Sequence, residues 1–251
     1  MQDMVWGRAA VTAHGRLGLV VAAGGQGRRL GAGRPKQHAL LAGRPLLERT
    51  IEALEACPEV EAIVVCVEGE GLERWRRLLL APSHPKVRDV VSGGGTRALS
   101  VRNGLHRLVE LESVDWIGVH DGARPLVGCG LVRALMERLA ASPHLDGALP
   151  SLPPNDSIKK IDGRGMIIQN LDRSRLVAVQ TPQVFRAEVL LRAYAQPDGV
   201  LAAATDDASL VEKVGGRVGA VPGEWRNLKV TNPLDLAVAE MLLSEDGCGG
   251  C

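Results

Sequence analysis

Arg29 and Lys36 stand in one glycine-rich stretch, Gly24-Gly25-Gln26-Gly27-Arg28-Arg29-Leu30, continued from Gly31 to Pro35-Lys36-Gln37. Glycines that follow an apolar run let backbone N–H groups turn toward phosphate oxygens. Arg29 can fork onto such oxygens and Lys36 adds a compact point charge, with Pro35 stiffening the approach. A dinucleotide fingerprint would want Gly or Ala where Leu30 stands and an acid at the next strand end, a part Glu68 could play. A Walker loop would want Gly-Lys-Ser/Thr, which is absent. Taken alone, the stretch also reads as a surface turn with solvated cations.

A second block is Val119-His120-Asp121-Gly122-Ala123-Arg124-Pro125. An acid at a strand end beside a phosphate cradle is where a Mg²⁺ ligand belongs, although Asp121 could simply pair with Arg124. A third is Gly93-Gly94-Gly95-Thr96-Arg97 with Ser100 one turn further on. Its backbone and hydroxyl groups could hold a base or ribose, or it is a turn with an N-cap. Asn155-Asp156-Ser157, Leu171-Asp172-Arg173, Gln180-Thr181-Pro182-Gln183, Thr205 to Ser209 and Asn227 to Thr231 follow. Each alone could be a cap, a turn or an exposed pair.

These blocks need elements to position them, and the apolar pattern supplies them. Leu17–Ala23 reads as a buried strand running into the glycines, and Pro45–Cys57 as a helix with Leu46, Leu47, Ile51 and Leu54 on one face. Strands at 62–67, 87–91 and 116–119 alternate with helices at 71–80 and 96–111, the last capped by Thr96. This rhythm predicts an α/β fold, a mostly parallel twisted sheet with helices on both faces. In such sheets ligands bind beyond the carboxyl ends of the strands, where all three glycine-bearing blocks fall. The rhythm breaks after Pro150, and residues 151–172 read as a protruding hairpin arm. It resumes near Leu176 and closes with a helix from Pro233 to about Ser244. The expected organisation is a loose extension over 1–16, one domain over 17–244 and a flexible tail over 245–251.

Composition narrows the function classes. The 251 residues carry a formal charge of +1 and only 2% aromatic residues, Phe185, Tyr194 and four Trp. Neither a basic surface for nucleic acid nor stacking platforms for single strands are present. No apolar run approaches the ~20 residues of a membrane span, and the first sixteen residues lack a signal-peptide core. Cys57, Cys66 and Cys129 are scattered, as suits reduced thiols in a cytoplasmic protein. The Cys248-Gly-Gly-Cys251 pair lacks a second pair or a neighbouring His, and reads as a frayed terminus rather than a metal or redox site.

Taken in order from about Leu19 to Met241, the blocks resemble the 2-C-methyl-D-erythritol 4-phosphate cytidylyltransferase family. The resemblance implies a Rossmann-like nucleotidyltransferase domain that uses CTP, methylerythritol phosphate and Mg²⁺, and a homodimer locked by the arm. Carried over by position, Ala23, Gly25, Gly27, Arg29 and Lys36 match the CTP loop, and Gly94 and Ser100 lie near the cytosine. Asp121 matches the Mg²⁺ and nucleotide contact, with Arg124 in the same block on the substrate side. Ser157, Arg173, Thr205 and Lys229 match the sugar-phosphate side. In the family the arm reaches the neighbouring subunit's site, which implies that Ser157 and Arg173 act in trans. Arg29, Lys36, Arg173 and Lys229 form the implied catalytic set. Gly95 stands where an acid is frequent, Ser157 where Thr is frequent, and Gly122 where Ala is common. A cytidylyltransferase for another polyol phosphate, an NAD-dependent oxidoreductase and a non-catalytic nucleotide-binding module are the rival expectations, and Arg29, Lys36, Asp121 and Lys229 together count against the last. The missing third glycine and the Pro35-Lys36 pair count against the oxidoreductase.

Overall fold

The structure, a computed structural model, describes residues 15–24 and 36–248, with backbone alone described for Lys36 and residues 246–248. The elements in chain order are β1 (Leu17–Ala23), β2 (Leu40–Leu41), β3 (Arg44–Pro45), α1 (Leu46–Glu55), β4 (Val60–Val67) and α2 (Leu72–Leu79). Then come β5 (Val87–Ser92), α3 (Arg97–Leu111), β6 (Trp116–Asp121), α4 (Cys129–Ala140) and β7 (Gly147–Leu152). The arm carries β8 (Lys159–Ile161) and β9 (Ile167–Asn170), and the chain returns through β10 (Ala178–Val179) and β11 (Gln183–Arg186). Helices α5 (Ala187–Tyr194), α6 (Asp198–Ala202) and α7 (Asp207–Lys213), strand β12 (Val218–Pro222) and helix α8 (Pro233–Cys248) complete it.

The main sheet centres on β1, which pairs in parallel with β4 on one side and β6 on the other. Its sequence, LGLVVAA, is apolar on both faces, as a strand covered from both sides must be. Leu17, Leu19 and Val21 enter one cluster with α1, α2 and α4, while Val20 enters the other with α3, α5 and α7. Alternate residues of one strand thus feed the two cores, as the pleat requires. α3 lies against β1 and β4 through Val101, Gly104, Leu105 and Leu108, at helical spacing. A Cβ at Gly104 would stand 2.5 Å from both Cys66 Sγ and Val20 Cγ1, so only glycine permits this close approach.

The sheet is mainly parallel, but β11 runs antiparallel between β6 and β7, and β10 pairs antiparallel with β7. The expected arm is present as the β8–β9 hairpin, every residue of whose two strands is exposed. Two chain ends differ from expectation. Arg16, assigned to a loose extension, donates to Glu61 at 2.6 Å and Glu112 at 3.0 Å. Helix α8 continues to Cys248, beyond Ser244. Residues 1–14, Cys251 and the glycine-loop positions Gly25, Gly27 and Arg29 lie outside the described residues.

Candidate functional site

The carboxyl ends of β1, β4, β5 and β6 border one cleft of about 560 Å³. Its walls include Ala23 at the end of β1 with Gly24 after it, Glu68 after β4, the Gly93–Arg97 turn after β5, Asp121 at the end of β6, and Lys229. The turn after β5 curls around a hydroxyl. Ser100 Oγ accepts from Gly94 N at 3.0 Å and donates to Thr96 O at 2.9 Å. A Cβ on Gly94 would meet Leu99 Cβ at 2.6 Å, which accounts for the glycine. Thr96 caps α3 by accepting from Leu99 N at 3.2 Å, so the helix N-terminus opens beside the cleft. Free N–H groups and the helix dipole favour anions at such an end.

Asp121 is the electrostatic centre. Its side chain is nearly buried, with Arg97 Nε 3.0 Å from Oδ1 and Lys229 Nζ 2.7 Å from Oδ2. Arg124, the partner that the alternative reading of this block offered, stands farther off at 3.9 Å. Burial alone would push the Asp121 carboxyl up, but Arg97, Lys229 and Arg124 outweigh it and hold it well below the usual carboxylate range. Asp121 is therefore ionised at neutral pH. Its neighbour His120 is fully buried, and burial pushes its imidazole down to about 4, so it is neutral there. His120 makes hydrogen bonds with Thr181 Oγ1 and Arg124 O, and Thr181 Oγ1 also accepts from Asp121 N at 3.0 Å. These contacts fix the strand end that carries the carboxylate.

Lys229 owes its place to buried neighbours. Val230 N donates to Ala123 O at 2.8 Å, pinning the lysine loop to the loop after β6. Asn227, fully buried, donates through Nδ2 to Thr181 O, and its carbonyl accepts from Arg124 Nη1 at 2.6 Å. Arg124 thus lies behind Asp121, holding the loop, and is absent from the cleft wall.

Of the expected site residues, Ala23, Gly94, Ser100, Asp121 and Lys229 meet on the cleft wall. Lys36 opens a short helical turn, Lys36–His38, and the following Gln37 lines the cleft. Ser157, Arg173 and Thr205 are exposed and stand off that wall, with Arg173 Nη1 donating to Asn155 O at 3.1 Å. Two residues escape the motif reading, Arg97 on the cleft wall and the buried Asp207 that pairs with it. Both sit inside quoted motifs, but their pairing spans 110 residues and no sequence spacing announces it. Asp121 and Glu68 are carboxylates on the wall. No group of three or more His, Cys, Asp or Glu side chains is placed to hold a metal among the described residues. One or two carboxylates suit a Mg²⁺ that brings most of its oxygens from substrate phosphates, not one caged by protein alone.

A glycine turn and a helix N-terminus, set against a lysine and a pinned carboxylate on an open α/β sheet, form a cleft that suits a nucleotide. That combination defines a nucleotidyltransferase of Rossmann-like architecture. The family model for 2-C-methyl-D-erythritol 4-phosphate cytidylyltransferase matches residues 17–245, and the chain belongs to that family. A protein of that name from Rubrobacter xylanophilus is 44% identical over 230 residues, covering 92% of this chain and 95% of the relative. Crystal structures of the corresponding enzymes agree in fold. That from Thermus thermophilus is 31% identical with a TM-score of 0.69, covering 90% of this chain and 98% of its own. That from Francisella tularensis is 28% identical with a TM-score of 0.76, covering 90% and 99%.

Proposed function

We propose that the chain transfers the cytidylyl group of CTP to the phosphate of 2-C-methyl-D-erythritol 4-phosphate, releasing pyrophosphate, in non-mevalonate isoprenoid precursor synthesis. The observation that carries this reading is the meeting of the Gly93–Ser100 turn, Asp121 and Lys229 in one cleft of a chain matched from 17 to 245. The acceptor phosphate attacks the α-phosphorus of CTP and pyrophosphate leaves. A phosphate monoester is mostly dianionic at neutral pH, its second pKa being about 6, so no Ser, Cys or His nucleophile is needed.

The difficulty is to bring two polyanions together. Two like charges 4 Å apart repel by about 4 kcal/mol at an effective dielectric of 20. Positioned cations offset this. Arg29 and Lys36 would take the triphosphate, and Gly94 and Ser100 the cytosine end, along with Ala23, Gly25 and Gly27. Lys229 and Thr205 would take the acceptor. Mg²⁺ arriving with CTP, with Asp121 as its protein carboxylate, would supply charge neutralisation on the triphosphate.

The arm supports a homodimer in this reading. Ile161, Met166, Ile167 and Ile168 are 56–66% exposed on a hairpin that finds no apolar cover among the described residues. A second copy of this chain is the occupant proposed for that hairpin, and Ser157 and Arg173 would then serve the neighbouring cleft. A cytoplasmic setting accords with free Cys57, Cys66 and Cys129, and no described helix is long and apolar enough to cross a membrane. The test is pyrophosphate release with CTP, Mg²⁺ and methylerythritol phosphate. ATP, GTP and UTP serve as nucleotide controls and ribitol 5-phosphate as acceptor control. Equal turnover with ribitol 5-phosphate, or none with CTP, refutes the reading.

A further inference from the structure

We infer that Arg97 is a positioning residue of the cleft, a crossbar whose guanidinium ties the strand-end Asp121 to the buried Asp207 and so to the Thr205 loop. This rests on the cytidylyl-transfer reading for its kinetic consequence, while the crossbar itself rests on geometry. Arg97 is the first residue of α3, and its three nitrogens are divided between two acids. Nε donates to Asp121 Oδ1 at 3.0 Å, and Nη1 and Nη2 donate to Asp207 Oδ1 and Oδ2 at 3.1 and 2.9 Å. The Asp207 end is a bidentate fork, the geometry that a planar guanidinium fits and an ammonium does not.

Asp207 has no exposed surface, and the Tyr194 hydroxyl donates to the same Oδ1 that accepts from Arg97 Nη1. An unpaired charge in that position would be strongly unfavourable, so Asp207 holds Arg97 as firmly as Arg97 holds Asp207. The loop around Asp207 is itself pinned. Asp206 accepts from Ser209 N and from Gln183 Nε2, both at 3.0 Å, and Ala208 N donates to Gln183 Oε1 at 3.0 Å. Thr205 stands at the exposed end of this pinned loop. One guanidinium therefore sets two things. It fixes which oxygen of Asp121 remains for Lys229, and it locks the distance between the nucleotide wall and the Thr205 loop.

Arg97→Lys keeps the charge but can serve only one of the two acids. Outer partners of a reactive group typically matter 10–100-fold, and kcat for pyrophosphate release is expected to fall by about that much. KM for CTP should stay within about threefold, since the glycine turn and helix end remain. In hydrogen–deuterium exchange, amides of residues 205–209 should exchange markedly faster than in wild type, with β1 and β4 unchanged. A merely structural ion pair would lower the melting temperature and leave the kcat of folded protein intact. Tyr194→Phe keeps the ring and loses only the hydroxyl on Asp207, so it should show the same two changes in smaller measure. It decides the matter if Arg97→Lys does not fold. An unchanged kcat in folded Arg97→Lys overturns the inference, and so does unchanged exchange at 205–209, which would make Arg97 act on substrate directly. If wild type released no pyrophosphate, the functional reading would fall, and the exchange measurement alone would uphold or overturn the crossbar.

Discussion

Lys229→Met separates what the lysine does for the fold from what it does for the reaction. Nζ lies 2.7 Å from Asp121 Oδ2, with the lysine side chain 39% exposed. The bare attraction at that separation is about 6 kcal/mol at an effective dielectric of 20. Partial exposure screens most of it, and exposed pairs net ~0–1 kcal/mol. Asp121 also keeps Arg97 at 3.0 Å, so its charge is not stranded. Methionine preserves an unbranched stem of similar length. The expected loss of stability is therefore about 1 kcal/mol, a fall of ~2–4 °C in melting temperature for a chain of this size. The rate should respond far more. Removing one preorganised donor from developing charge typically costs ~10²–10³ in kcat. The assay is steady-state pyrophosphate release with both substrates varied, beside thermal unfolding of the same sample. A kcat within threefold of wild type refutes the catalytic placement of Lys229. A melting temperature more than about 10 °C lower would refute the electrostatic bookkeeping instead.

Three further outcomes are open to direct measurement. Gly104→Val forces carbon into the space held by Cys66 and Val20, and should cost at least ~1–3 kcal/mol in urea unfolding; an unchanged midpoint would contradict the packing of α3 on the sheet. Burial pushes the Cys66 thiol up to about 12, so iodoacetamide at pH 8 should leave it unmodified in folded protein while Cys129, partly exposed, is alkylated. Peptide mapping that found Cys66 modified first would overturn this. Ile161→Lys combined with Ile167→Asp should convert the proposed dimer to monomer in light scattering and abolish turnover; an intact active dimer would remove the arm from the interface.

Some of this architecture was legible and some was not, for physical reasons. β1 coincides with the apolar run Leu17–Ala23 because a strand buried on both faces leaves an unbroken hydrophobic record. Thr96 capping α3 was equally readable, since a hydroxyl before a periodic apolar stripe has few other uses. Reading α8 as ending near Ser244 failed because nothing after Ser244 breaks a helix until Gly247, and one glycine is tolerated. The antiparallel course of β11 left no trace, because direction within a sheet is set by the route of the chain and not by the four residues QVFR. The hydrogen bond from Arg124 to Asn227 O is likewise invisible to any motif, because its acceptor is a backbone carbonyl 103 residues away. Arg97 and Asp207 escaped for a related reason. Long-range ion pairs depend on two loops meeting, and each half looks like an ordinary cap or turn.

The reversal of β11 has a mechanical consequence. Because that strand begins where β6 ends, the segment returning from the arm is delivered to the rim of the cleft rather than to the far side of the sheet. Between β10 and β11, Gln180 and Thr181 are buried there, and Thr181 hydrogen-bonds both Asp121 N and His120. The outgoing limb leaves from β7, and the two limbs are stitched together at Leu152 and Ser151. A short, hydrogen-bonded length of chain thus joins the base of the arm to the end of β6, where Asp121 sits.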